Sequence, residues 1–331
     1  MSKNWIVFGL SNSSNYAEVI SKKVKIELGE IITSKFADGE ILVKSKQTVR
    51  EKDVLLIQST SNPVNDNLME LLISIDALKR ASAKSIFVLI PYYGYGRQDR
   101  KSKGREPITC KLVASFLESA GANKVLLIDI HSEQTQGFFN IPVDTLRASV
   151  ILLLEFIKKN KTDDNFCMVA SDYGAVKKAR DIATHLNLDL AIIDKRRPKP
   201  NVAEVCNVLG DIKDKNCLLI DDMIDTGGTI ISAAMLLKKN GAKKVSMIAT
   251  HGLFSNGALL KIEKILDSEV VDNLYITDTI QKNLEIKHDK IIVIKLGDFL
   301  GDVINSHIHH QSVSDLYETR WDTLFKKWYE K

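Results

Sequence analysis

The stretch Leu218-Leu219-Ile220-Asp221-Asp222-Met223-Ile224-Asp225-Thr226-Gly227-Gly228-Thr229 decides how this chain folds. A short apolar run ends in carboxylates, passes two glycines and two threonines, and opens at Ile230 into a helical pattern of small and apolar residues. That is a strand, a loop at its carboxyl end and a helix returning over the sheet, the arrangement in which α/β proteins hold ligands. Outward from it, similar runs recur at 54–57, 86–90, 125–128, 167–170, 190–193, 245–248 and 291–294, separated by helix-period segments such as 67–79 and 229–239. Uninterrupted apolar strands are buried on both faces, which means parallel sheets covered by helices. The fold class is α/β.

The unit also repeats. Leu55-Leu56-Ile57, a helix and Ala83-Lys84-Ser85-Ile86 are echoed by Leu218-Leu219-Ile220, a helix and Ala242-Lys243-Lys244-Val245, about half the chain later. Two βαβ units in tandem predict two related domains, at 1–149 and 150–303, with residues 304–331 as a C-terminal tail. The 331 residues and 44% apolar content suffice for two buried cores and exclude disorder as the main state. A net charge of +4 is too small and too dispersed to mark a nucleic-acid surface. No 18-residue apolar run exists, and the N-terminal apolar stretch is too short for a signal-peptide core, so a soluble, cytoplasmic protein without membrane contact is expected. Cys110, Cys167, Cys206 and Cys217 are scattered and read as small core residues, neither disulfides nor zinc ligands.

The chemistry of 221–229 follows from its residue types. Gly227 and Gly228 let backbone N–H groups converge, Thr226 and Thr229 add hydroxyls, and the next helix adds its positive end, so Asp225-Thr226-Gly227-Gly228-Thr229 suits a monoester phosphate. Asp221 and Asp222 cannot hold that phosphate, but they can accept hydrogen bonds from vicinal hydroxyls, directly or through Mg²⁺. Phosphate plus diol describes a pentose phosphate. A second cluster, Pro91-Tyr92-Tyr93-Gly94-Tyr95-Gly96-Arg97-Gln98-Asp99-Arg100-Lys101, puts aromatics beside cations. Gly94-Tyr95-Gly96 begins a dinucleotide fingerprint that fails at Asp99, and no Gly-x4-Gly-Lys-Ser/Thr loop exists. Arg97 can stack on a purine and Gln98 can read its edge.

Residues 221–229 resemble the phosphoribosyl-diphosphate loop shared by phosphoribosyltransferases and the ribose-phosphate diphosphokinase (phosphoribosyl-diphosphate synthetase) family, and the other segments favour the latter. Phe36-Ala37-Asp38-Gly39-Glu40 is similar to that family's Phe-Ser-Asp-Gly-Glu motif, which completes an adenine site from a neighbouring subunit, so Phe36, Asp38, Gly39 and Glu40 join Arg97 and Gln98 as implied ATP contacts. His131-Ser132-Glu133-Gln134-Thr135-Gln136-Gly137-Phe138-Phe139 matches the family's His-x-Glu-Gln-x-Gln-Gly-Phe-Phe signature, which implies that His131 binds Mg²⁺ beside the ATP phosphates. A second ligand is implied at Asp172, within Ser171-Asp172-Tyr173-Gly174-Ala175; the family's usual pattern there is Pro-Asp-x-Gly-Gly, so a proline and a glycine are replaced. Asp194-Lys195-Arg196-Arg197-Pro198-Lys199 matches the catalytic flexible loop, with Lys195 and Arg197 in the charge-stabilising positions.

What the resemblance implies is phosphoribosyltransferase-type domains and Mg²⁺-dependent transfer of the ATP diphosphoryl group to ribose 5-phosphate, giving 5-phosphoribosyl 1-diphosphate and AMP for nucleotide biosynthesis. It also implies a homo-oligomer, a hexamer built from dimers, activated by phosphate and inhibited by ADP at a site involving Gln136, Ser312 and Ser314. A non-catalytic regulatory subunit and a phosphoribosyltransferase are the alternatives. Past Glu318, Trp321, Leu324, Phe325 and Trp328 recur at helical spacing and predict a packed apolar stripe. The cluster His307-Ile308-His309-His310 reads as surface.

Overall fold

In the computed structural model, which describes residues 4–160, 165–196 and 205–329, the apolar runs are strands and the periodic segments are helices. The chain forms two compact units. The first takes Met1–Ala148 with Thr279–Gln281 and Lys295–Tyr317; the second takes Ser149–Asp278, Lys282–Ile294 and Glu318–Lys331. Residues 295–303, expected with the second domain, therefore group with the first.

The first unit runs β1 (Trp5–Gly9), α1 (Ser14–Val24), β2 (Glu27–Leu28), β3 (Ile31–Lys35), β4 (Ile41–Ser45), β5 (Asp53–Ile57), α2 (Val64–Arg80), β6 (Ser85–Ile90), α3 (Thr109–Ala120), β7 (Lys124–Ile128) and β8 (Val143–Leu146). Six strands make one parallel sheet in the order β2-β1-β5-β6-β7-β8, while β3 and β4 form a separate antiparallel hairpin. Its core is Ile6, Phe8, Val54, Leu56, Val88, Ile90, Val125 and Leu127 against Leu71, Ile75, Val113 and Leu117 of α2 and α3.

The second unit runs α4 (Ser149–Lys159), β9 (Phe166–Ala170), α5 (Val176–Leu186), β10 (Asp189–Arg196), β11 (Val205–Leu209), β12 (Asn216–Ile224), α6 (Gly228–Lys239), β13 (Lys244–Gly252), α7 (Ala258–Asp267), β14 (Asn273–Thr277) and β15 (Ile291–Ile294). Seven strands lie in the order β11-β10-β9-β12-β13-β14-β15, all parallel except the edge strand β11. The tandem repeat appears as β5-α2-β6 in one sheet and β12-α6-β13 in the other. Cys167, Val169, Cys217, Leu219, Val245 and Met247 fill the core with Ala233, Ala234 and Leu237 of α6. Cys110, Cys167 and Cys217 are buried free thiols; burial pushes Cys167 up to about 11 and Cys217 to about 12, which leaves them inert.

Two helices close the chain, α8 (Gly297–Ile308) and α9 (Ser314–Tyr329). Gly297 and Gly301 of α8 sit where a Cβ would come within 2.8 Å of Val19 and 2.7 Å of Lys23, so their lack of a side chain is what lets α8 lie on α1. Lys23 also donates to the Asp298 carbonyl at 2.7 Å and pairs with Asp302. In the tail, Tyr317 packs edge-on against Phe299 and its hydroxyl accepts from the Arg147 N–H at 2.7 Å. Trp321 stacks on His185 of α5 with ring centroids 4.8 Å apart. The side chains of Leu324, Phe325 and Trp328 lie outside the described set. His307 corrects the surface reading of its cluster: its side chain is 12% exposed and sits 3.2 Å from Asp144. His309 and His310 are exposed as expected.

Candidate functional site

The element that decided the fold departs from its expected outline in one respect. β12 does not stop at Ile220; Asp221 and Asp222 continue the strand, and pairing with β13 runs on to Ile224 and Gly252. Its other neighbour, β9, ends with Ala170 opposite Ile220. Asp221 therefore stands beside Ser171, the first residue past the end of β9. Its Oδ2 accepts from Ser171 Oγ at 2.7 Å and its Oδ1 from the Asp222 N–H at 2.8 Å. Burial, and then the charge and hydrogen bond of Asp222, raise Asp221 well above the ordinary carboxylate range, while the Ser171 hydroxyl opposes the rise. A carboxyl pair in this state suits a partner that supplies hydroxyl donors or positive charge.

Past the strand, Gly227 takes φ +76° as the N-cap of α6, and its carbonyl accepts from the Ile231 N–H at 3.0 Å. The left-handed conformation favours glycine over any residue with a Cβ. As a glycine, the N-cap of α6 supplies no side-chain acceptor to the first amides of the helix. Thr226, Gly228 and Thr229 are exposed beside them. Uncapped N–H groups at a helix's positive end attract a phosphate. Asp222 and Asp225 are half-buried. The pentose-phosphate reading of the sequence thus rests on donors and acceptors that the fold brings into one element.

Asp172 accepts the Ala175 N–H on Oδ1 at 3.1 Å, which closes the turn before α5. The replaced proline and glycine leave that turn intact. Tyr173, although 61% exposed, donates its hydroxyl to buried Asp194 at 3.1 Å. Asp194 directly precedes Lys195, whose backbone lies on β10. Nothing further is described of the Lys195 side chain, and Arg197 lies outside the described residues.

In the first unit, the aromatic-cationic segment is held by the polar run after β5. Ser59 Oγ accepts the Tyr92 N–H at 3.2 Å, and Thr60 Oγ1 accepts the Gly94 N–H at 2.7 Å. A Cβ on Gly94 would lie 2.5 Å from the Thr60 carbonyl, so the approach requires glycine. These contacts leave Arg97 and Gln98 exposed at the turn; Gln98 is anchored by Thr109 Oγ1 donating to its Oε1 at 2.6 Å. Phe36, Asp38, Gly39 and Glu40 stand apart, at the tip of the β3–β4 hairpin. The Phe36 N–H donates to the Glu40 carbonyl at 2.8 Å, and the Glu40 N–H to Asp38 Oδ1 at 3.1 Å. Phe36 is 55% exposed, an aromatic face with no core to fill. His131 is exposed beyond β7, two residues after Asp129, whose Oδ2 accepts the Ala148 N–H at 3.0 Å. Gln136 is exposed in the short helix Glu133–Phe138, and Ser312 and Ser314 are exposed at the start of α9.

Among the described residues, no three His, Cys, Asp or Glu side chains gather to hold a metal. Asp172 keeps acceptor capacity beyond its turn, since an ionised carboxylate offers about four lone-pair sites. The Asp172 carboxylate is the kind of oxygen ligand that Mg²⁺ takes beside phosphate oxygens and water, and His131 offers an exposed imidazole in the other unit.

Comparison with known proteins identifies the family. Residues 5–121 match the N-terminal domain of ribose phosphate pyrophosphokinase, and residues 195–318 match the phosphoribosyl synthetase-associated domain. The chain is 52% identical over 324 residues to a ribose-phosphate pyrophosphokinase of Mycoplasma genitalium, covering 98% of this chain and 97% of that one. To its counterpart in Ureaplasma parvum it is 53% identical over 330 residues, covering 99% of each. The crystal structure of phosphoribosylpyrophosphate synthetase from Mycobacterium smegmatis superposes with a TM-score of 0.86 at 37% identity, over 93% of this chain and 100% of that one. The chain belongs to the ribose-phosphate pyrophosphokinase family. It is an enzyme of phosphoribosyl-diphosphate synthesis, with two phosphoribosyltransferase-like α/β domains.

Proposed function

We propose that this enzyme transfers the β,γ-diphosphoryl group of ATP, in one step, to the anomeric hydroxyl of ribose 5-phosphate. The observation that carries the reading is the continuous element 221–229. Two neighbouring carboxyl groups sit on a strand end, followed by a glycine-turned, uncapped helix start, as a sugar diol and its 5-phosphate require. Thr226, Gly228 and Thr229 bind the phosphate with the α6 amides, and Asp225 lines the same turn. Asp221 and Asp222 accept from the 2- and 3-hydroxyls and fix the ring, which orients the 1-hydroxyl for attack. Its oxygen bonds to the β-phosphorus as the bond from that phosphorus to the α–β bridging oxygen breaks. AMP departs, and the hydroxyl proton is released.

On the ATP side, Arg97 and Gln98 bind the adenine, with Phe36, Asp38, Gly39 and Glu40 of a neighbouring subunit completing its pocket. Lys195 and Arg197 stabilise the charge that spreads over the transferring oxygens. Mg²⁺ held by His131 and Asp172 would neutralise phosphate charge. The family resemblance further implies a homohexamer with a phosphate/ADP regulatory site at Gln136, Ser312 and Ser314, and a cytoplasmic enzyme. No helix among the described residues is long and apolar enough to cross a membrane. The test is incubation with ATP, ribose 5-phosphate and Mg²⁺ at low and high phosphate. AMP that forms only when ribose 5-phosphate is present supports the reading, and AMP-free turnover to ADP overturns it.

A further inference from the structure

We propose that Ser171 is a positioning residue for ribose 5-phosphate, acting through Asp221. The inference rests on the assignment of 221–229 to that substrate. Ser171 has no exposed surface, so its hydroxyl has no water to bond and needs a partner within the fold. That partner is Asp221 Oδ2, at 2.7 Å. The strand register is the cause: β9 and β12 part after Ala170 and Ile220, which leaves the next residue of each strand side by side.

The consequence for Asp221 is orientational. One carboxylate oxygen is fixed by Ser171 and the other by the Asp222 amide at 2.8 Å, so the plane of the carboxylate is set before any ligand arrives. A proline at position 171, the family's usual residue, would carry no donor and could not make this contact. In this chain the hydroxyl also favours the ionised, accepting form of Asp221 against the burial and repulsion that work the other way. A preset acceptor spares the diol the cost of ordering it. With its hydroxyl buried on Asp221, Ser171 acts through that carboxylate, and its effect belongs in sugar affinity and its selectivity for the diol.

The test is calorimetric titration of the full chain, with Mg²⁺ and α,β-methylene-ATP present, by ribose 5-phosphate and by 2-deoxyribose 5-phosphate. For the unaltered protein, ribose 5-phosphate binds more tightly than the deoxy sugar. Ser171→Ala is expected to weaken ribose 5-phosphate about 10-fold, the scale of one hydrogen bond to a charged group, and the deoxy sugar less. In steady state its KM for ribose 5-phosphate rises while that for ATP stays within about 2-fold, and Ser171→Thr recovers most of the loss. Should the alanine variant not fold, Ser171→Cys, a weaker donor of similar size, carries the same comparison. Equal weakening of both sugars, or wild-type affinity in the alanine variant, overturns the role of Ser171. An unaltered protein that binds neither sugar overturns the functional reading itself.

Discussion

Replacing Gly227 with alanine tests whether the shape of the proposed phosphate loop, apart from its composition, does the binding. Gly227 holds φ +76°, where an L-residue with a Cβ costs about 1–2 kcal/mol. Its added Cβ would stand 3.2 Å from Ile231 Cδ1, 3.6 Å from Ala258 Cβ and 3.8 Å from Ile262 Cδ1. Only the first contact is tight, and the tip of an isoleucine can yield a few tenths of an ångström, so the backbone term dominates. Gly228, the next residue, has no positive φ and nothing within 4 Å of its would-be Cβ. As the first residue of α6 it should gain up to about 1 kcal/mol from alanine's helix propensity.

The strain at 227 has two outlets. If the loop keeps its shape, the cost appears as stability, a fall of roughly 2–8 °C in the melting temperature of a unit this size. If the loop relaxes, the cost appears as substrate affinity, a rise of roughly 5- to 30-fold in the KM for ribose 5-phosphate. Differential scanning calorimetry and initial-rate kinetics on both variants separate the outlets, with Gly228→Ala as the stability control. A Gly227→Ala protein matching wild type in both measurements would refute the claim that the left-handed turn builds the site.

Three further outcomes are expected. Lys195→Ala should lower kcat by roughly 10³–10⁵ while substrate KM values stay within a few-fold, read by AMP formation; retention of most of kcat removes Lys195 from the chemistry. Asp144 is held down to about 2, first by its hydrogen bond with His307 and then, against burial, by Lys124. Because its folded pKa lies below the ordinary 3.8, this contribution is present above about pH 4 and is lost as pH falls through about 2. Asp144→Asn should therefore remove about 1 kcal/mol near neutrality, allowing for solvent screening, and flatten the acid limb of a urea-midpoint profile; an unchanged limb refutes the assignment. Phe156 packs edge-on against Phe166 at 5.6 Å and Tyr275 at 5.4 Å, so Phe156→Ala should cost about 3–5 kcal/mol in chemical denaturation.

Much of the fold was legible because parallel strands buried on both faces leave apolar runs that nothing else mimics. Each of the eight such runs is a strand. Among the described residues, seven strands escaped. β2 has two residues, β3 and β4 alternate on an exposed hairpin, β8 is four mostly half-buried residues, β11 is a short edge strand and β14 has a polar residue at each end, whereas β1 carries the same apolar signal as the eight. The end of β12 escaped because carboxylates read as loop, whereas pairing with β13 carries Asp221 and Asp222 along as strand. His307 misled because adjacency to two exposed histidines hides a helix face turned towards Asp144. The segment 221–229 stood out in the sequence because three carboxylates, two glycines and two threonines in nine residues have little other use together. Ser171 was visible only as a departure from a motif. Its partner Asp221 lies fifty residues away, and a contact set by strand register leaves no trace in local sequence. Ser59 and Thr60 are similar: the polar run after β5 could have been noticed, but its grip on Tyr92 and Gly94 needs the neighbouring strand.

The central claim is diphosphoryl transfer, and ³¹P NMR of one reaction mixture tests it most directly. With ATP, ribose 5-phosphate and Mg²⁺, AMP and a sugar diphosphate carrying the former β- and γ-phosphorus should grow in at equal rates, and neither should form when the sugar is left out. Growth of ADP with a sugar bisphosphate, or of AMP with free diphosphate in the absence of sugar, would contradict the account.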